Sequence, residues 1–321
     1  MKALVTGGAG FIGSHLAEYL LSLGHEVSVI DDLSTGSLDN LRTVKDNPRF
    51  HCAVDSVMNE VVMDRLASEC DIIYHLAAAV GVEMIVCSPV RAIETNVMGT
   101  AAVFRVANRY RCKVLLTSTS EIYGKSNHVP FGEEDDRVLG PTVRSRWSYS
   151  TSKAVDEFLA LAYHRERGLP VVIVRLFNTI GPRQSGRYGM VVPRLVAQAL
   201  ADRPLTVYGN GRQTRCFADV RDIVSGMVAL ADRPEAVGQV FNLGSTREIS
   251  IADLARLIIA ITRSRSQISH VPYDQAYEPG FEDMSRRLPN ISKVQALIGW
   301  QAETPLEDSI RAIVEELRTK K

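Results

Sequence analysis

The chain has 321 residues, 45% hydrophobic and 23% charged, and its 37 basic residues balance 37 acidic ones. That make-up suits a globular protein with one main core and a second lobe. It offers no charge block for a nucleic acid, no polybasic patch for a membrane surface, and no apolar run of membrane-spanning length. The five cysteines, Cys52, Cys70, Cys87, Cys112 and Cys216, are scattered and lack C-x-x-C spacing, and the seven histidines are dispersed. This pattern predicts reduced thiols, no metal site and a cytoplasmic protein. The opening "MKALVTGGAG" lacks the apolar stretch and cleavage site of a signal peptide.

In chain order, "KALVTG" predicts a strand and "SHLAEYLLSLG" a helix ending before Gly24. "EVSVID", a helical stretch, "DIIYHLA", a long helix through "VRAIETNVMGTAAVFRVANRY", and "KVLLTSTS" follow. Apolar runs separated by helices predict a parallel sheet covered on both faces, the α/β doubly wound (Rossmann) architecture, with ligands at the carboxyl ends of the strands. After "PVVIVRLFN" the rhythm breaks into Gly-, Arg- and Pro-rich loops, before another strand, "QVFNLG", and a helix from about Ile251 to Thr262. Residues 1–178, joined by about 213–243, are expected to form the dinucleotide-binding domain. Residues 179–212 and 244–321 are expected to form a smaller, partly interleaved substrate lobe.

"VTGGAGFIGSHLA" contains Gly8-x-Gly10-x-x-Gly13 and also Gly7-x-x-Gly10-x-x-Gly13. Glycines there allow a tight turn and close approach to a pyrophosphate, and the helix beginning near Phe11 offers free N–H groups. The pattern follows a strand, opens a helix, and has "VIDDL" at the end of the next strand, the context that gives it meaning. Asp31 can accept hydrogen bonds from a ribose, and its charge beside Asp32 would repel the extra phosphate of NADP, so NAD is the expected cofactor. Asp55, after "FHCAV", either reaches the adenine edge or is an ordinary strand-end turn residue.

"WSYSTSKAVDEFLALAYHRE" puts Tyr149 and Lys153 four residues apart on one helix face. An ammonium beside a phenol, with the charge of oxidised nicotinamide, would lower the phenol's pKa and make it a base for a sugar hydroxyl. Thr119, at the end of "KVLLTST", can orient that hydroxyl. Alone, Y-x-x-x-K usually marks a solvated helix face; the glycine turn and strand-end hydroxyls upstream reverse that reading.

"TGGAGFIG", "YHLAA", "TNVMGT", "TSTSEIYG", "YSTSK" and "RLFNTIGPR", in that order over nearly the whole chain, resemble the extended short-chain dehydrogenase/reductases of the nucleotide-sugar epimerase/dehydratase/decarboxylase group. "GPTVRSRWSYSTSK", "PLTVYGNGRQTRCFADVRDIV" and "GFEDMSRRLPNI" are most similar to UDP-glucuronate decarboxylases, and particularly to those of the aminoarabinose type. "HLAAAVGVEMIVCSP" instead looks like an epimerase segment, and Glu83 within it would either oppose a carboxylate-bearing substrate or point to solvent.

The resemblance implies a catalytic base in Tyr149, its electrostatic partner and ribose contact in Lys153, and an orienting hydroxyl in Thr119. Glu121 corresponds to an acid that decarboxylases and 4,6-dehydratases have, and Arg287 to an arginine facing the reacting sugar. Cofactor contacts are implied for Gly7, Gly10, Phe11, Ile12, Gly13, Asp31, Asp32, Asp55, for Leu76, Ala77 and Ala78 of "YHLAA", and for Asn96. Asn178, Arg183 and Arg215 match positions around the nucleotide diphosphate. Read without the resemblance, Glu121 can be a helix-capping acid, Arg287 a partner of Glu282 or Asp283, and Arg212 and Arg215 solvated loop charges. The implied activity is NAD-dependent decarboxylation of UDP-glucuronate through a C4 ketone, yielding a UDP-4-keto-pentose or UDP-xylose. The alternatives are a UDP-sugar 4-epimerase, a 4,6-dehydratase and a catalytically silent dinucleotide sensor. The resemblance also implies a homodimer built through the helices near Val90–Tyr110 and Tyr149–Arg167.

Overall fold

Seven strands form one parallel sheet in the computed structural model, which describes residues 1–81, 88–186, 190–272, 275, 284 and 286–319. In chain order the sheet body comprises β1 (Lys2–Thr6), α1 (Phe11–Ser22), β2 (Glu26–Asp31), β3 (Phe50–Val54), α2 (Glu60–Ala67) and β4 (Ile72–His75). It continues with α3 (Pro89–Tyr110), β5 (Lys113–Thr119), α4 (Arg146–Arg167) and β6 (Val171–Leu176). The strands run β3-β2-β1-β4-β5-β6 across the sheet, and a seventh joins beside β6. Successive strands move outward in one direction from β1 and then in the other from β4. The crevice between β1 and β4 is therefore the topological switch point at which such sheets bind ligands.

The strands read as continuous apolar runs because both faces are covered, and their residues alternate between two cores. Ala3 and Val5, Leu115, Val172 and Val174 pack on one face with Leu16, Leu20, Val224 and Met227. Leu4, Val114 and Leu116, Val171 and Ile173 pack on the other with Met63, Val103, Phe104 and Ala160. Slipping any strand by one residue would exchange the two sets, so register and helix placement are specified together.

Beyond β6 come β7 (Thr179–Ile180), α5 (Val191–Leu200), β8 (Leu205–Tyr208), β9 (Thr214–Cys216), β10 (Ala218–Asp219), α6 (Val220–Ala231) and β11 (Gln239–Leu243). The last of these is the seventh strand of the main sheet, paired parallel with β6, and α6 packs beside α1, so this stretch returns to the sheet body. β12 (Glu248–Ser250), α7 (Ile251–Thr262), β13 (Ile268–Val271), α8 (Ser292–Ile298) and α9 (Leu306–Thr319) follow. A separate core of Val192, Leu195, Leu205, Leu254, Ile258, Ile310 and Ile313 joins α5, β8, α7 and α9. Among the described residues no helix is long and apolar enough to cross a membrane.

Candidate active site

A cavity of about 590 Å³ opens at the carboxyl ends of the central strands and reaches under α5, β8 and the segment around Arg287. That volume is in the range of about 300–1,000 Å³ typical of small-molecule sites. One end is built by the β1–α1 turn. Gly7 has φ +68°, a left-handed conformation that a side chain disfavours, and a Cβ on Gly13 would land on the carbonyl oxygen of Gly7. Gly10 begins α1 without any side-chain cap, so the first-turn N–H groups of Phe11, Ile12 and Gly13 are left for a ligand, and these residues line the cavity.

Asp31, Asp32, Asp55, Leu76, Ala77 and Ala78 line the same end. Asp31, at the tip of β2, accepts from the Ala9 N–H at 2.9 Å and the Leu33 N–H at 2.8 Å. Burial nevertheless raises its carboxyl, more than these amides lower it. A ribose offering hydroxyl donors would satisfy its remaining lone pairs. Asp55 also serves its own turn, accepting from the Ser56 N–H at 2.7 Å and from Asn59 at 3.0 Å. The bare turn, the uncapped helix and the acid at the tip of β2 together fit a dinucleotide.

Asn96 lies elsewhere. It is buried behind the wall and absent from the lining. Its Oδ1 accepts from the Ala79 N–H at 2.8 Å, and its Nδ2 donates to Ser152 Oγ at 3.1 Å. It ties the segment after β4 to α4.

The other end is built by charge. Thr119 ends β5 and its hydroxyl accepts from the Glu121 N–H at 3.2 Å, so Thr119, not Glu121, caps the short 3-10 turn at Ser120–Tyr123. The Glu121 carboxylate instead meets two arginines: Arg287 Nη2 lies 2.7 Å from Oε1 and Arg146 Nη2 3.0 Å from Oε2. Burial alone would raise this carboxyl, but Arg287 and then Arg146 outweigh it and hold it at about 2. Among the described residues, two guanidinium groups thus converge on one carboxylate at this end. Arg287 also keeps its Nε buried with no hydrogen-bond partner among the described residues. Its two acidic alternatives, Glu282 and Asp283, and likewise Glu83, lie outside the described residues.

Tyr149 and Lys153 line the cavity from α4, one turn apart on one face. The Tyr149 phenol faces the Thr119 hydroxyl. The phenol stands well above the ordinary range, chiefly through burial, then through Glu121 and Asp156, with Thr119 and Arg287 pulling the other way. The lowering expected from Lys153 does not set the direction: the phenol is raised, and the Lys153 ammonium lies 2.8 Å from Asp156.

Asn178 and Arg215 reach the cavity from the β6–β7 junction and β9. Arg215 is buried and donates to the Thr214 carbonyl at 2.8 Å, whereas Arg212 is exposed and absent from the lining. Arg183 does not reach the cavity: its guanidinium pairs with Glu18 of α1 at 2.6 Å and its N–H with Glu316 of α9 at 2.6 Å. Arg146 is the main residue missing from the sequence reading. Its signal is its place three residues before Tyr149 in "SRWSYSTSK", which sets it on the same helix face.

A doubly wound sheet whose switch point carries a bare glycine turn, with a tyrosine–lysine pair on the facing helix, defines a short-chain dehydrogenase/reductase of the extended type. The chain belongs to the family described as GDP-mannose 4,6 dehydratase, whose model matches residues 4–313. It is 39% identical over 318 residues to a UDP-N-acetyl-alpha-D-glucosaminuronate decarboxylase of Bacillus cytotoxicus, covering 99% of this chain and 98% of that protein. It is 38% identical over 320 residues to UDP-glucuronic acid decarboxylase 1 of Arabidopsis thaliana, covering 100% of this chain and 70% of that one. Among solved structures, a UDP-glucuronic acid 4-epimerase from Bacillus cereus in complex with UDP-glucuronic acid and NAD superposes with a TM-score of 0.90 at 29% identity, covering 100% of both chains.

Proposed function

We propose that the protein is an NAD-dependent decarboxylase of a UDP-linked uronic acid, UDP-glucuronate first among them. The observation that carries this reading is the pair of guanidinium groups, Arg146 and Arg287, that converge on Glu121 beside Thr119 and Tyr149. A carboxylate on the sugar's C6 is the complement to these guanidinium groups, and to the Nε of Arg287, which has no partner among the described residues. A neutral hexose has nothing to offer them. Relatives named as decarboxylases, matched over 99% and 100% of this chain, support the same reading.

The β1–α1 turn, the N-terminus of α1, Asp31 and Lys153 would hold NAD, which would supply the hydride acceptor for C4 and the hydride that reduces the ketone. Tyr149 takes the proton of the sugar's 4-hydroxyl, which Thr119 orients. The resulting ketone is β to the C6 carboxylate, so the carbon–carbon bond breaks with its electron pair passing into the carbonyl as carbon dioxide leaves. Protonated Tyr149 and Thr119 stabilise the enolate oxygen. A proton delivered at C5 by Arg287, or by water it holds, completes the pentose. Glu121, whose carboxyl Arg287 and then Arg146 hold low, sets the two guanidinium groups. Asn178 and Arg215 bind the nucleotide diphosphate, and the division into residues 1–178 with about 213–243 and the lobe of 179–212 and 244–321 separates cofactor from sugar nucleotide. Val90, Ile93 and Met98 on α3 and Val155 and Phe158 on α4 stand exposed, a face suited to a second copy in a cytoplasmic homodimer.

The test is product mass after incubating purified protein with NAD and UDP-glucuronate. Release of carbon dioxide with a UDP-pentose or its 4-keto form is the expected result. Conversion to UDP-galacturonate without loss of mass would instead establish a 4-epimerase, the activity named for the superposed Bacillus cereus protein. The UDP-N-acetylglucosaminuronate assay, run in parallel, reads the C2 preference.

A further inference from the structure

Neighbouring acids on α4 face opposite ways. Glu157 pairs with Arg175 of β6, two nitrogens on two oxygens at 3.0 and 2.8 Å, and serves the fold. Asp156 is wholly buried and its Oδ2 lies 2.8 Å from Lys153 Nζ, itself 2% exposed. A buried carboxylate costs free energy unless its partner repays it, so an acid in contact with the lysine of a tyrosine–lysine pair calls for a reason.

The hydrogen bonds around it run in one direction. Thr6 Oγ1 accepts from the Leu76 and Ala77 N–H groups at 3.2 and 3.1 Å, so its own proton goes to His75 Nδ1 at 2.7 Å. His75 therefore carries its proton on Nε2 and donates to Thr100 Oγ1 at 3.0 Å. Burial, then the charge of Lys153, holds the imidazole neutral, at about 3. The Thr100 hydroxyl in turn lies against the Asp156 carboxylate, without completing a well-aligned bond to Oδ1. The chain of donors thus starts at two residues of the dinucleotide wall and runs to Thr100, beside the carboxylate that holds the lysine.

We propose that Asp156 is a positioning residue that holds Lys153 against the cavity wall and offsets its charge, thereby setting the pH range in which Tyr149 works as a base. A lone ammonium lowers a neighbouring phenol; an ammonium with a carboxylate at 2.8 Å acts as a dipole, whose field falls off faster. The other charged groups facing Tyr149 are Glu121, with Arg287 and Arg146 behind it; those facing Asp156 are Lys153 and Glu157. The inference rests on the reading of Tyr149 as the base.

Asp156→Asn keeps an oxygen for Lys153 and removes the charge, whereas Asp156→Leu removes both. For the NAD-loaded enzyme with UDP-glucuronate, kcat/KM is followed against pH. The acid limb of Asp156→Asn is expected to move down by about one pH unit, the lower end of what a neighbouring charge does to a pKa, with NAD affinity within a few-fold of the parent. Asp156→Leu is expected to lose about tenfold or more in NAD affinity as Lys153 comes loose. Asp156→Ser, smaller and uncharged, carries the same pH test if the amide variant does not fold. An acid limb superimposable on the parent's in a folded uncharged variant overturns the proposal, whatever happens to the melting temperature. Tyr149→Phe keeps the two readings apart: if it retains activity, the base is misassigned, whereas an inactive Tyr149→Phe beside an unmoved Asp156→Asn profile defeats only the role of Asp156.

Discussion

At the glycine turn the cavity wall is main chain: the Gly7–Gly13 loop and the first-turn N–H groups of Phe11, Ile12 and Gly13, placed by two strands and one helix that are close in sequence. At the opposite end the wall is side-chain charge: Glu121 between Arg146 and Arg287, brought together across 25 and 166 residues. A backbone cradle is rigid and indifferent to pH. The charged end is tuned by how many ions of each sign it contains, and one substitution changes that count. A main-chain cradle suits a group shared by many reactions, whereas a set of side-chain charges is what can differ from one enzyme of a fold to the next.

The largest effect is expected from changing the charge count. Glu121→Gln takes from Arg146 and Arg287 the anion they share, so the substrate carboxylate is held more tightly in the ground state. Decarboxylation disperses that same negative charge, so the tighter hold does not carry into the transition state. The variant should show a lower KM for UDP-glucuronate and a kcat for carbon dioxide release down about 10²-fold or more. A kcat equal to the parent's would remove Glu121 from the chemistry. Acid unfolding offers a second reading: the folded carboxyl, at about 2, lies below its ordinary 4.5. The ion pairs therefore contribute stability that is fully present above about pH 4.5 and lost as pH falls through about 2. Glu121→Gln should flatten that part of a stability-against-pH curve.

The two ends also differ in how far sequence exposes them. The strand–helix alternation, the glycine turn and the pair Tyr149 and Lys153 are local patterns, each set by steric or helical spacing within a few residues. Arg146 stands within the quoted segment "SRWSYSTSK", but its partner is Glu121, and no spacing rule links a helix start to a strand end. Arg183 follows a glycine and proline where an arginine for phosphate is expected, yet Glu18 and Glu316 from two distant helices take it. Lys153 is legible from its spacing to Tyr149, but no pattern in the sequence singles out Asp156 one turn later. That the two point at each other, while Glu157 turns to Arg175, follows from which face of α4 meets β6.

At the backbone end, Gly13→Ala tests whether the cradle is as tight as the turn implies. Its Cβ would collide with the Gly7 carbonyl oxygen, part of a main-chain turn with no side chain to swing away. Overpacking of this kind costs about 1–3 kcal/mol, and it falls where NAD must bind. Isothermal titration should show NAD affinity reduced about tenfold or more, with a lower melting temperature. Parent-like affinity would mean that the cofactor does not rest on this turn.

Asn96→Ala should have the smallest effect and separates direct from indirect support at that same end. If Asn96 touched the cofactor, its loss would resemble that of Gly13→Ala in affinity. Its bonds go instead to Ala79 and Ser152, and Ser152 Oγ donates to the Tyr149 carbonyl at 2.9 Å. Removing the amide leaves the buried Ala79 N–H without an acceptor, a cost of about 1–3 kcal/mol to the fold. The melting temperature should fall while NAD affinity changes only a few-fold, because the N–H groups of α1 and the carboxylate of Asp31 stay where they are. A tenfold loss of affinity at unchanged stability would move Asn96 from the back of the wall to its face.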